Sequence, residues 1–166
     1  NVNPVNPGRS VIRVFNTKDL VIGGPNPKDG NLMYGLSIDI TDRTNKDCGV
    51  LNFQNNLINV SADGSHTFSA QGLNMKIRSE GDGLAPSYQF NMSDNNFLGT
   101  ATISGLSKYF TVQRNSIYFF SNGSSIDHSV KLYMFACSGG GIIGGDATGE
   151  GNTFFTNSQG ASMIYD

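Results

Sequence analysis

The sequence has no tryptophan, and it is poor in charge, cysteine, histidine and the residues that favour helices. Charged residues make up 14% and the net charge is −2, so no basic surface of the kind that binds nucleic acid is expected. Only 7 alanines and 2 glutamates occur among 166 residues, whereas helix-weakening asparagine, serine, threonine and glycine are abundant. No apolar run reaches the roughly 18 residues that a membrane-spanning helix needs. Nucleic-acid binding, membrane insertion and a helical fold are therefore not expected.

Short segments in which apolar and polar residues alternate are the main feature that is present. Residues 33–41 and 73–78 alternate in the way that half-buried strands do. Roughly a dozen such segments recur about every 8–12 residues, with turn residues between them. We find no internal repeat of fixed period, which argues against a β-helix or a β-propeller. The sequence therefore predicts an all-β protein, an antiparallel β-sandwich or jelly roll with a glycine-rich C-terminal loop.

The length fits one domain, so residues 11–166 are expected to form a single β-sandwich recognition domain. Residues 1–10 contain two Asn-Pro pairs and are expected to be an extended segment that leads into it. Cys48 and Cys137 each stand at the edge of a predicted strand, and a disulfide between them would close a loop of about 90 residues. Two buried thiols are the alternative. The predicted bridge and the low charge favour a secreted protein or one exposed on a pilus tip, virion or phage fibre.

The glycine-rich segment 136–155 can be compared with nucleotide-binding loops. Gly139, Gly141 and Gly144 have the spacing of the G-x-G-x-x-G motif and follow a predicted strand. That motif works only when a helix follows, because the N-terminus of the helix holds the phosphates. The residues that follow, DATGEG, do not favour a helix, so nucleotide binding is not expected.

The same segment can also be compared with a calcium-binding loop. Alternating oxygen-bearing side chains resemble the first half of such a loop, namely Asp146, Thr148, Glu150 and Asn152. Asn157 stands where a bidentate glutamate would be required. Calcium therefore stays open as a ligand, and no other cofactor is expected.

Groups suited to catalysis are sparse. Asp127 and His128 adjoin each other in a serine-rich loop, but neighbours along a strand point apart and could not orient one another there. No G-x-S-x-G motif occurs. We expect no enzyme, and a hydrolase with an unrecognised site is the third hypothesis.

Neutral donors and acceptors on short side chains suit sugar hydroxyls. The leading hypothesis is therefore a non-enzymatic adhesin or receptor-binding head, of pilus-tip or fibre type, that recognises a host glycan or glycoprotein receptor. Its ligand-binding residues are expected in the polar loops, at Asn122, Ser124, Asp127, His128 and Asp146. The alternative is a structural subunit of a pilin, fibre or capsid-like assembly, because residues 130–137 are apolar on both faces apart from Lys131 and could pair with a neighbour.

Overall fold

The protein is almost entirely β-structure in the part of the chain that the computed structural model describes, which is residues 10–15, 17–33, 36–42, 47–59, 73–79, 87–98, 101–105, 108–119, 130–135, 139–156 and 161–165. The all-β prediction is confirmed, and the only helical element described is a short 3-10 turn at Pro27–Asp29. The strands are β1 Ser10–Phe15, β2 Leu20–Gly23, β3 Leu32–Met33, β4 Leu36–Asp42, β5 Asp47–Gln54, β6 Leu57–Ile58, β7 Leu73–Ser79, β8 Ser87–Ser93, β9 Asn96–Leu98, β10 Ala101–Ser104, β11 Phe110–Gln113, β12 Ser116–Phe119, β13 Val130–Phe135, β14 Gly141–Ile143, β15 Thr153–Thr156 and β16 Ala161–Tyr165.

Each strand pairs with the strand three positions later in the chain, and these pairings build three sheets. Sheet A has the order β1-β4-β7-β10-β13-β16, sheet B the order β14-β11-β8-β5-β2, and sheet C the order β15-β12-β9-β6-β3. All pairings between these strands are parallel. Three consecutive strands therefore form one coil, from coil 1 (β1–β3) to coil 5 (β13–β15), and β16 adds a further strand to sheet A. The coils stack into a three-sided parallel β-solenoid.

The prediction of an antiparallel sandwich or jelly roll is wrong, and so is the argument against a β-helix. A solenoid strand and a sandwich strand show the same apolar–polar alternation, because each has one face on a core and one in solvent. The pairing partner distinguishes the two folds, and alternation carries no information about it. A repeat does exist, but its length varies between coils, which hides it from a search for a fixed period.

The core lies inside the three sheets and is built from rows of side chains in register along the solenoid axis. One row of sheet A is fully buried from coil 2 to coil 5: Ile38, Met75, Ile103 and Met134, each 0% exposed. In sheet B, Phe90 and Phe110 stack in the same way, and their row ends at Gly141. A Cβ added at Gly141 would lie 2.4 Å from the ring of Phe110, so glycine lets β14 close the stack. Part of the predicted glycine-rich loop is therefore a strand.

The corner from sheet B to sheet C repeats one short motif. In coils 2 to 4 a left-handed residue, Asn55, Asp94 or Arg114, is followed directly by an asparagine, with φ between 53° and 58° at the left-handed position. Coils 1 and 5 place glycines there, Gly23 and Gly144, since glycine adopts positive φ without strain. In each of these two coils a loop of the same length separates the glycine from the corner asparagine. We call this loop the excursion; it comprises residues 24–30 in coil 1 and residues 145–151 in coil 5.

The corner asparagines form a ladder through the molecule, made of Asn31, Asn56, Asn95, Asn115 and Asn152. Each of the first four donates from its backbone N–H and from Nδ2 to the side-chain oxygen of the next, with donor–acceptor distances of 2.9–3.2 Å. The middle three are at most 1% exposed. A buried corner would otherwise leave polar backbone groups unpaired, so the ladder supplies the partners that the sheets cannot.

Candidate functional site

The outer side of sheet B carries uncharged side chains in coils 2 to 4 of the solenoid. Strand alternation points Leu51, Phe90 and Phe110 into the core and their neighbours outward. Tyr109 directly precedes β11, and its carbonyl accepts a hydrogen bond from the backbone N–H of Phe90, which continues the register. We call this surface the amide face, and it consists of Val50, Asn52, Gln54, Gln89, Asn91, Ser93, Tyr109, Thr111 and Gln113.

The central row of the amide face is joined by side-chain hydrogen bonds. The Thr111 hydroxyl donates to Asn91 Oδ1 at 2.9 Å, and Asn91 Nδ2 donates to Asn52 Oδ1 at 2.9 Å. All three side chains are half-buried, so they are held in place while still reaching solvent. The row continues to Val21 in coil 1 and to Ile142 in coil 5, which are 53% and 36% exposed.

A second contact and an exposed aromatic ring lie on either side of that row. Gln54 Nε2 donates to Ser93 Oγ at 3.3 Å, and this bond joins β5 to β8 in the row of outward residues that lies next to the corner. On the other side Tyr109 is 48% exposed, beside Gln89, whose side chain is also exposed. The amide face therefore combines ordered amide and hydroxyl groups with one aromatic surface.

Arg114 and Asp94 pair with each other next to the corner side of the amide face, and Glu150 lies near enough to act on the charge of Arg114. Arg114 binds the Asp94 carboxylate in a bidentate manner, through Nε to Oδ1 and through an NH2 group to Oδ2, both at 2.7 Å. The hydrogen bond from Arg114 holds the pKa of Asp94 below its usual value, and partial burial opposes this effect. The same bond raises the pKa of Arg114. Both residues sit at left-handed corner positions in adjacent coils, so the pair bridges the corner without adding net charge.

The residues predicted to bind a ligand are not brought together within the described chain. Asn122, Ser124, Asp127 and His128 lie outside the described residues, so their assignment stays a prediction. Asp146 is exposed in the excursion of coil 5. The sequence did not predict the amide face, because its residues lie within strands or directly before one, whereas binding residues are usually found in loops.

The four predicted calcium ligands are spread over the coil 5 excursion, and one of them already has another role. Asn152 Oδ1 accepts two hydrogen bonds from Asn115, and Asn152 Nδ2 donates to the Val112 carbonyl at 2.8 Å. The Glu150 carboxylate accepts a bond from the Ala147 N–H at 3.0 Å, while Asp146 and Thr148 are exposed. Among the described residues, no three His, Cys, Asp or Glu side chains are grouped so that they could hold a metal ion. The calcium site stays an untested hypothesis, and the hydrogen bonds of Asn152 argue against it.

Cys48 is buried in β5 at 3% exposure, and Cys137 lies outside the described residues. The disulfide therefore stays a prediction.

The corner motif is a sequence signal that could have revealed both the fold and the amide face. The segments FQNNLI, MSDNNFL and VQRNSIY share an inward apolar residue, a polar residue, a left-handed residue and the ladder asparagine, in that order. Their ladder asparagines are 39 and 20 residues apart. Aligning the segments on this motif would have placed β5, β8 and β11 side by side, and with them the amide face.

Comparison with known proteins finds no family model, no curated relative and no solved structure that matches this chain. The architecture alone defines its class, an all-β solenoid of three parallel sheets. Among the described residues, no helix is long and apolar enough to cross a bilayer.

Proposed function

We propose that the protein is a non-enzymatic recognition module, of the adhesin or receptor-binding type, that binds a neutral glycan on the amide face. The observation that carries this proposal is the central row of Asn52, Asn91 and Thr111, which are ordered by mutual hydrogen bonds on an uncharged surface. Sugar hydroxyls both donate and accept hydrogen bonds, and so do amides and the threonine hydroxyl. Ordering these groups before binding lowers the entropic cost of fixing them in a complex.

Capacity for further hydrogen bonds supports the same proposal. Within the described contacts, Asn52 uses only its oxygen, and the exposed Gln89 side chain makes no hydrogen bond. Tyr109 adds an exposed ring on which the C–H face of a sugar can stack. A protein partner would be expected to need a larger apolar centre than this face offers.

A glycan array, read with the full chain and two variants, tests the proposal. Thr111→Val removes the hydroxyl at nearly constant shape and is expected to reduce binding of neutral glycans, and Gln89→Ala is expected to do the same. Thr102→Val in sheet A is the matched control, since Thr102 is also a half-buried strand threonine but lies on another side of the solenoid. An array on which the folded parent chain binds no neutral glycan would contradict the proposal.

A second candidate function, assembly with other subunits, is favoured by the exposed apolar side chains of coil 1. Four large apolar residues there are 47–57% exposed, namely Val11, Phe15, Val21 and Leu32. Coil 1 also ends the ladder, because Asn31 Oδ1 receives no hydrogen bond from any described residue. Edge strands that pair on one side only are natural sites for association.

Solution mass tests this second candidate. If coil 1 is an assembly surface, the parent chain is expected to form oligomers at high concentration, and Phe15→Ser is expected to weaken them. Ile142→Ser, which removes an exposed apolar side chain from coil 5, is the control. A parent chain that stays monomeric at every concentration tested would exclude this candidate.

A further inference from the structure

We propose that the ligand of the amide face is an extended, unbranched, neutral polysaccharide whose chain runs along the solenoid axis. This inference rests on the proposed function and specifies its ligand class. It follows from the direction in which the binding groups repeat. The central row runs across the strands, from Val21 through Asn52, Asn91 and Thr111 to Ile142, with one residue from each coil.

The spacing of this row matches an extended sugar chain. Neighbouring strands are about 4.8 Å apart, so the row offers an outward side chain at that interval. An extended chain of β-(1→4)-linked pyranoses advances by about one strand spacing per sugar residue. Each sugar can therefore face one coil, and alternate sugars, which share one orientation because the chain turns over at each linkage, meet alternate coils in the same way. Along a single strand, outward side chains repeat at about 6.6 Å, which does not match this advance.

The hydrogen bonds within the row give it a direction. Thr111 donates to Asn91, and Asn91 donates to Asn52, so both amides are oriented in the same sense along the axis. Each amide still has an N–H that is not used in the row, and Asn52 has both. The ligand therefore meets at least one unused amide N–H at both Asn52 and Asn91, in adjacent coils. A repeating polymer uses such an arrangement better than a compact or branched glycan does.

The ends of the row set the length of ligand that it can bind. Val21 and Ile142 are exposed and apolar, and they border the three polar positions. They can contact the apolar C–H faces of sugars but cannot bond to their hydroxyls. A chain of about five sugar residues covers all five positions at one strand spacing each. Additional residues would extend beyond the described coils of sheet B and gain no further contact there.

Calorimetric titration of the full chain with neutral oligosaccharides of increasing length tests the inference. Cello-oligosaccharides from disaccharide to hexasaccharide are the extended probes, and malto-oligosaccharides of the same lengths are the coiled controls. Affinity for the cello series is expected to rise by about three- to tenfold for each added sugar, which is the size of one modest hydrogen bond, and to level off at about five residues. The malto series is expected to show no such rise.

Variants locate the binding along the row. Asn52→Val and Thr111→Val, two coils apart, are each expected to lower the affinity for the pentasaccharide by about tenfold. Thr102→Val is expected to leave it unchanged. Binding that does not depend on length, or a preference for coiled or branched glycans, would overturn this inference and leave the proposed function standing. Failure to bind any neutral glycan would overturn both.

Discussion

Asn115 Oδ1 accepts two hydrogen bonds from Asn95, one from the backbone N–H at 3.1 Å and one from Nδ2 at 2.9 Å. Asn115 Nδ2 in turn donates to Asn152 Oδ1 at 2.9 Å and to the Met92 carbonyl at 3.1 Å. One side chain therefore connects three coils at a buried corner. The solenoid depends on such residues, because its corners are where the sheet hydrogen bonds are interrupted.

Asn115→Ala is expected to lower the free energy of unfolding by about 3 kcal/mol, because it leaves buried donors and acceptors without partners on both neighbouring coils. Chemical denaturation followed by circular dichroism measures this loss. Asn91→Ala is the control: Asn91 also bonds to neighbouring coils but is half-exposed, so water can replace its partners, and a loss below about 1 kcal/mol is expected. Equal losses of unfolding free energy in the two variants would show that burial of the ladder does not increase its contribution to stability.

Gly23→Ala is expected to destabilise the protein strongly. Gly23 has φ 86°, and a Cβ there would lie 1.8 Å from the Gln54 carbonyl oxygen of the paired strand. Two further glycines separate the backbone contribution from the steric one. Gly149 also has positive φ, 90°, but an added Cβ meets nothing within 4 Å, so its alanine variant is expected to cost only about 1 kcal/mol.

Gly140→Ala completes the set, because Gly140 has open space and no positive φ. Its stability is expected to match that of the parent chain. Thermal unfolding of the three variants should therefore give the order Gly140→Ala, Gly149→Ala, Gly23→Ala from most to least stable. A Gly23 variant as stable as the Gly149 variant would mean that β2 can move away from β5 at little cost.

Acid is expected to remove a small part of the stability through Asp94. Its pKa is lowered in the folded protein, so the folded state favours the charged carboxylate. This contribution is present above the pKa of the unfolded chain and is lost as the pH falls through the lower folded value. The pair is partly exposed, so the contribution should stay below about 1 kcal/mol.

Asp94→Asn isolates this contribution, because asparagine tolerates the left-handed conformation and occupies the equivalent corner position in coil 2, at Asn55. The parent chain is expected to be slightly more stable than the variant at neutral pH, and the difference should vanish in strong acid. A difference that does not change with pH would mean that the ion pair with Arg114 makes no contribution to stability.

Calcium is expected to have no effect on the unfolding temperature. A calcium site at the coil 5 excursion would need the Asn152 oxygen, which already accepts two hydrogen bonds from Asn115. Thermal unfolding in excess calcium and in excess chelator should therefore coincide. A higher unfolding temperature in calcium that is lost in Asp146→Asn would instead support the site indicated by the sequence.

The strands themselves could be predicted from the sequence, whereas their pairing could not. Residues 73–78 were expected to form a strand, and they match β7 to within one residue. Alternation reveals a strand because it reports which side chains face the core. It does not report the partner strand, and in a solenoid the partner lies a full coil away, between 20 and 39 residues along the ladder.

The sequence by itself determined a low-charge, all-β chain rich in neutral hydrogen-bonding side chains, because composition and alternation are local properties. Only the tertiary structure decided that the strands are parallel and that Asn52, Asn91 and Thr111 form one surface row. These residues are separated by 39 and 20 positions. They meet because coils of unequal length are brought into register by the buried asparagine ladder.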